Sequence, residues 1–143
     1  MKLFTIGYQK VTLGELVERL EAAGVAVVLD VRAVAASRRA GFSKRILAAG
    51  LAEAGVDYVH LKALGTPAAG RQAARAGRTA EMHAIYTDYL EHEPAAQAEL
   101  IEAAEIAAAR PAALLCLEAD ARECHRRLIA ERLAAKGFET VDL

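Results

Sequence analysis

Val25-Ala26-Val27-Val28-Leu29-Asp30-Val31-Arg32 is the stretch on which the fold turns. A nearly unbroken run of valine and leucine reads as a strand covered on both faces, which is the habit of parallel sheets. Its polar residues, Asp30 and Arg32, come at its end, where a parallel strand hands over to a loop. Upstream, Leu3 to Tyr8 alternates and is rich in strand formers, and Thr12-Leu13-Gly14-Glu15 has the capping-box spacing that opens a helix, here to about Ala23. Gly24 stops that helix. Downstream, Ser43 can cap a helix from Lys44 to about Ala54, Gly55 ends it, and Asp57 to Leu61 is a further strand.

Residues 62–79 hold Gly65, Pro67, Gly70 and Gly77 among four bases and read as a long, functional loop. Two helices follow, Ala80 to Glu91 and Ala95 to Ala109, with Pro94 suited to the first turn of the second. Ala112 to Leu117 is another apolar strand. Asp120 can cap a helix from Ala121 to Lys136, and Gly137 to Leu143 closes the chain as a strand. The alternation predicts a single α/β domain over residues 1–143. Its core is a doubly wound parallel sheet of about five strands with helices on both faces. A chain of 143 residues buries enough surface for one core without disulfides or metals.

No stretch approaches the length of a membrane span, and Met1 leads straight into a strand-like segment, so a cytoplasmic location without a membrane partner is expected. Two cysteines are no secreted disulfide framework, which leaves free thiols, metal ligands or catalytic groups as their expected states. The net charge of −1 hides a segregation. Val31 to Ala52 carries five bases and no acid, and Leu61 to Ala80 four bases and no acid, while all 19 acids share the rest of the chain with nine bases. Two such segments on one side would concentrate an anion; otherwise they are solvated basic loops.

In open parallel sheets, binding crevices lie at the carboxyl ends of the strands. Asp30, Arg32, His60, Cys116 and Glu118 should reach that edge, followed by Cys124, His125 and Arg126 in the opening turns of the last helix. Cys116 and Arg122 have the Cys-x5-Arg spacing of phosphatases and rhodaneses, in which backbone amides wrap an anion beside a thiolate. The intervening Leu117-Glu118-Ala119-Asp120-Ala121 has two carboxylates and no glycine, charges that oppose both thiolate and anion. Cys116, Cys124 and His125 are soft ligand types, but their spacing is unlike CxxC pairs and no fourth ligand is evident beyond Glu118, Asp120 or His60, so no metal site is read. His125 beside Glu118 or Asp30 is the usual pairing for proton transfer; equally, Asp30 and Arg32 can be a structural ion pair and His125 a satisfied ring. His83 and His92 are expected at the surface, and Tyr86 and Tyr89 in packing.

The chain resembles the bacterial family known as domain of unknown function 488. The likeness rests on Thr5-Ile6-Gly7-Tyr8, Asp30-Val31-Arg32, Ser37-Arg38-Arg39 with Gly41-Phe42-Ser43-Lys44, Tyr58 with His60, Leu64-Gly65, Cys116-x-Glu118 and Cys124-His125-Arg126. It implies a compact α/β domain and a suspect site, but no settled activity. A weaker likeness, to rhodanese domains, runs through Asp30-Val31-Arg32 and Leu133-x3-Gly137-Phe138-x2-Val141. The leading expectation is an enzyme for a phosphate-bearing substrate, a nucleotide or nucleic-acid component. Arg32, Arg38, Arg39, Lys44, His60 and Arg126 would bind it, Arg32 and Arg126 flanking the anion. Glu118 and His125 would move protons, with Asp30 and Cys116 as further catalytic candidates and Cys124 and Tyr8 in support. The alternatives are a non-catalytic phosphate or nucleic-acid binding module and rhodanese-like chemistry at Cys116. No cofactor and no oligomeric state can be read from the residues.

Overall fold

The computed structural model describes residues 1–117 and 124–143. The element order is β1 (Lys2–Gly7), α1 (Leu13–Ala22), β2 (Val27–Asp30), α2 (Lys44–Glu53), β3 (Asp57–His60), α3 (Ala68–Arg75), α4 (Thr79–His92), α5 (Pro94–Ala109), β4 (Ala112–Cys116), α6 (Arg126–Ala134) and β5 (Glu139–Asp142). The five strands form one parallel sheet in the order β3-β2-β4-β1-β5. From β1 to β3 the chain steps one way across the sheet, and from β3 to β5 it steps back. Right-handed crossovers therefore send α1 and α2 to one face and α3 to α6 to the other.

The two cores follow this division. On the first face Phe4, Ile6, Val28, Ala113 and Leu115 pack with Leu16 and Leu20 of α1 and Leu47 and Leu51 of α2. On the second, Leu3, Val27, Leu29, Ala112, Leu114 and Cys116 pack with Met82, Tyr86, Leu90, Ala103, Ile129 and Leu133. Neighbours along each strand thus serve opposite cores, the period-two rule of a pleated strand. Each fully buried leucine contributes about 1.5–3 kcal/mol relative to an exposed one.

Local signals act as their chemistry dictates. Thr12 Oγ1 accepts from the Glu15 amide at 3.1 Å and Glu15 accepts from the Thr12 amide at 3.2 Å, closing the capping box. Pro94 opens α5, where its missing N–H costs nothing. Ser43 precedes α2 but makes no side-chain cap; its hydroxyl is occupied with the backbone of Ser37, at 3.2 Å from the amide and 3.3 Å from the carbonyl.

Residues 62–79 are not the long loop the sequence suggests. Lys62–Leu64 form a 3-10 turn and Ala68–Arg75 the helix α3. The alanines between the glycines supply helix propensity, and buried Gly70 and Ala73 let α3 lie close against its neighbours. Gly65 is required by proximity, since a Cβ there would come within 2.2 Å of the Ala33 backbone. Its absence lets the segment after β3 press against the segment after β2. The cap expected at Asp120 lies outside the described residues, but the last helix starts later than expected: Cys124 and His125 precede it, His125 as the N-cap residue, and α6 begins at Arg126. Among the described residues, no helix is long and apolar enough to cross a membrane.

Candidate functional site

At the carboxyl edge, strand pairing sets Asp30 against His60 and Leu115, and Gly7 against Cys116. Here β4 lies between β2 and β1. The helices leaving β2 and β1 take one face while α6, after β4, takes the other. The reversal of connection direction marks the topological switch of an open sheet. The candidate residues gather here in two groups, divided by the sheet.

The first group lies on the face of α1 and α2. Asp30, fully buried, receives the Arg32 guanidinium through Nε at 2.9 and 3.1 Å and through Nη2 at 2.7 Å. It also accepts from the Arg32 amide at 3.1 Å and from the Tyr58 hydroxyl. The remaining Arg32 nitrogen donates to the Phe42 carbonyl at 2.7 Å and approaches the Tyr8 hydroxyl at 3.4 Å, and the guanidinium lies 5.3 Å from the Tyr8 ring centroid. Tyr8 and Phe42 stack with centroids 4.5 Å apart. Burial alone would pull the Arg32 guanidinium down, but hydrogen bonds and charge from Asp30, with help from Tyr8, outweigh it and raise it. Tyr58 is pushed up from the ordinary phenol range by burial and then by its bond to Asp30. Every strong donor and acceptor in this group is engaged, as a buried ion pair demands.

The second group lies on the face of α3 to α6. Cys116 ends β4, and Cys124 and His125 directly precede α6. The two cysteines are joined as a disulfide, their Cα atoms 7.3 Å apart. This corrects the expectation that neither is bonded to the other: Cys124, just before α6, lies beside Cys116 at the end of β4. The Arg126 Nη1 donates to Cys116 Sγ at 3.2 Å, and the Arg126 amide to Cys124 Sγ at 3.5 Å. His125 Nδ1 lies 3.6 Å from Cys124 Sγ, and the sulfurs and this imidazole present ligand atoms within 4.8 Å of one another. The His125 Nε2 donates to the Val31 carbonyl at 2.6 Å, and the Tyr86 ring meets the imidazole edge-on at 5.2 Å. Burial lowers His125 to about 4 against the opposing effect of the Val31 bond, with a smaller push from Arg126. A ring with so low a pKa is neutral at physiological pH.

The two groups share one backbone segment. His125 holds the Val31 carbonyl and His60, through Nε2 at 2.8 Å, holds the next carbonyl, that of Arg32. The loop leaving β2 is therefore gripped from β3 and from the start of α6. Of the two arginines expected to flank one anion, Arg32 is engaged with Asp30 on the face of α1 and α2 and Arg126 with Cys116 on the face of α3 to α6. Glu118 lies outside the described residues. Arg38, Arg39 and Lys44 are exposed on the segment leading into α2, Arg39 leaning on the Val11 carbonyl and lying 5.9 Å from the Phe42 ring centroid.

Tyr58 was not among the expected site residues, although its separation by two from His60 on one strand puts both on the same face. Tyr86 and Tyr89 pack as expected, donating to the Leu64 and Ala63 carbonyls and so tying α4 to the 3-10 turn. His92 is exposed, whereas His83 is half-buried and lowered by burial and by Arg127. A surface cavity of about 460 Å³ lies at the opposite, amino edge, lined mainly by Met1, Phe4, Pro111 and alanines, with Lys2 and Arg110 as its charged residues.

The family model described as Domain of unknown function DUF488 matches residues 12–133. The chain belongs to this family. The match runs from the capping box of α1 to the last turn of α6 and so takes in both groups at the carboxyl edge apart from Tyr8. No curated protein and no solved structure matches the chain.

Proposed function

We propose that this DUF488 protein is an enzyme that takes an anionic, phosphate-bearing substrate, of the nucleotide or nucleic-acid class, at the carboxyl edge of its sheet. One observation carries the reading: the two acid-free segments leave the adjacent strands β2 and β3 at the same edge. Arg38, Arg39, Lys44 and Lys62 are exposed there, and the one acid of that edge within β2, Asp30, is neutralised by Arg32. Lys44 and Arg45 also open α2, whose first turn holds no acid. A helix dipole disfavours cations at that end, so their presence fits a bound anion better than helix stability. Arg38, Arg39 and Lys44 hold the substrate; Arg32 and His60 keep the loop in place.

Fluorescence anisotropy with a labelled single-stranded oligonucleotide, and equilibrium dialysis with a nucleoside triphosphate, test the reading. Binding should weaken with salt, and the Arg38→Ala/Arg39→Ala/Lys44→Ala variant should lose it. Each phosphate contact removed lowers the logarithmic salt slope by about 0.7 to 0.9. Binding indifferent to salt and to these substitutions would refute it. Binding without turnover in a phosphoester screen would leave the non-catalytic module.

A second reading is thiol chemistry at Cys116, favoured by the Arg126 guanidinium 3.2 Å from its sulfur. A cation at that distance stabilises a thiolate. After reduction, Cys116 should alkylate with a midpoint well below the ordinary value of about 8.5. A midpoint at the ordinary value rules this chemistry out.

A further inference from the structure

We propose that, once reduced, Cys116, Cys124 and His125 bind a single thiophilic divalent cation, zinc in the first place, so that metal and disulfide are alternative occupants of the same two sulfurs. The ligand types are visible in the sequence, but the eight-residue separation of Cys116 from Cys124 is not that of a metal-binding pair. Folding removes that distance: the ligand atoms of all three residues lie within 4.8 Å of one another in the core between the sheet and α6.

Three features point to a metal rather than to a chance meeting. The imidazole is oriented for it. The Val31 carbonyl can only accept, so the Nε2 that meets it at 2.6 Å carries the proton, and the lone pair of the neutral ring is left on Nδ1, the atom facing Cys124 Sγ. A ligating histidine whose far nitrogen donates to a backbone carbonyl is the usual outer-shell arrangement of zinc sites. The spacing is right as well. Zinc bond lengths of about 2.3 Å to sulfur and 2.0–2.1 Å to nitrogen, held tetrahedrally, put those ligands roughly 3.6 Å apart, and Cys124 Sγ and His125 Nδ1 stand at 3.6 Å. Finally, each sulfur has an N–H donor aimed at it: Arg126 Nη1 toward Cys116 and the Arg126 amide toward Cys124. Such donors give little to a neutral disulfide and much to a metal-bound thiolate.

The exchange balances with an external reductant. A dithiol breaks the Sγ–Sγ bond, is itself oxidised to a disulfide and leaves two thiols on the protein. Each thiol then releases its proton to solvent as the cation binds. With the cation, two thiolates and one neutral imidazole make a site with no net charge, and these three ligands, the ones found among the described residues, leave a fourth tetrahedral position.

The test uses the full chain, reduced with a phosphine and freed of metal, and titrated with cobalt(II), whose thiolate charge-transfer and tetrahedral ligand-field bands report the donor set. One cobalt per chain with both band systems is expected, displaced by zinc, and no uptake by the disulfide form. His125→Ala and Cys124→Ser should each weaken uptake by more than the tenfold to hundredfold typical of an outer-shell loss. Should a variant not fold, the wild-type chain still decides: zinc must slow alkylation of both reduced cysteines by at least about tenfold, in line with the affinity scale of such sites. Absence of cobalt uptake by the reduced chain, equal uptake by the disulfide form, or alkylation indifferent to zinc would each overturn the proposal.

Discussion

Two buried polar groups occupy one edge of one sheet, a few residues apart along the strands, and they are built on different terms. On the face of α1 and α2, Asp30, Arg32, Tyr58 and the Phe42 carbonyl form a closed set of hydrogen bonds around an ion pair. On the face of α3 to α6, Cys116, Cys124, His125 and Arg126 bring together soft donor atoms, with one imidazole nitrogen turned toward sulfur. Hard charges buried in a core must be matched at once or the fold does not survive. In the second group that demand falls on the buried Arg126 guanidinium alone; the sulfurs and the neutral imidazole beside it carry no such obligation, so they can be assembled in the core and remain open to oxidation or ligation. The first group is thus a fastener for the loop after β2, and the second is where chemistry can change state.

The sharpest way to break this comparison is Asp30→Ala. It leaves the Arg32 guanidinium buried without its carboxylate and should cost about 3–5 kcal/mol in urea unfolding. A loss below about 1 kcal/mol, the level of an exposed pair, would show that Arg32 finds other partners and that the group is no fastener.

Acid should come next, acting on the other face. His125 is at about 4 in the fold, against roughly 6.5 in an unfolded chain. Between those values the unfolded chain takes up a proton that the folded chain refuses. The stability is complete above about pH 6.5 and falls as pH drops toward 4, by up to about 3 kcal/mol at most. Unfolding curves across that range should show the slope in the wild type, and His125→Gln should flatten it; a slope that persists in the variant assigns it elsewhere.

Tyr58→Phe removes one of the bonds to Asp30 while keeping the ring, and about 1.5 kcal/mol is expected for a bond to a charged acceptor. A neutral effect would mean that Arg32 alone satisfies the carboxylate. Smallest of all should be Arg127→Ala, which breaks an exposed pair with Glu131 at 2.9 Å on α6 and should change the free energy of urea unfolding by less than about 0.5 kcal/mol. A larger effect would mean that the outer face of α6 also braces the sulfur group.

Much of this was legible along the chain. The valine-rich run of β2 announced a parallel sheet, the capping box opened α1 where it should, and glycines closed helices. Arg38, Arg39 and Lys44 could be placed in a basic segment, because charge segregation is itself a sequence property. Residues 62–79 misled, since glycine and proline argue for a loop whereas the alanines between them complete a helix once Gly70 and Ala73 have a surface to pack on. Tyr58 was missed as a partner because a tyrosine in a strand looks like packing until a carboxylate is set beside it.

By itself the sequence determined the class of sheet, the helices on either side and, through the period of two, which residues share a face. Cys116 had to side with Ala112 and Leu114, and Asp30 with Val28. Only the tertiary structure decided the strand order β3-β2-β4-β1-β5, the pairing of Asp30 with Tyr58, the hold of His125 on Val31, and the meeting of Cys116 with Cys124. The reason is physical. Face and helix follow from bonds and side chains a few residues apart, whereas strand order and such meetings are set by how whole crossovers pack, over separations that no local pattern records.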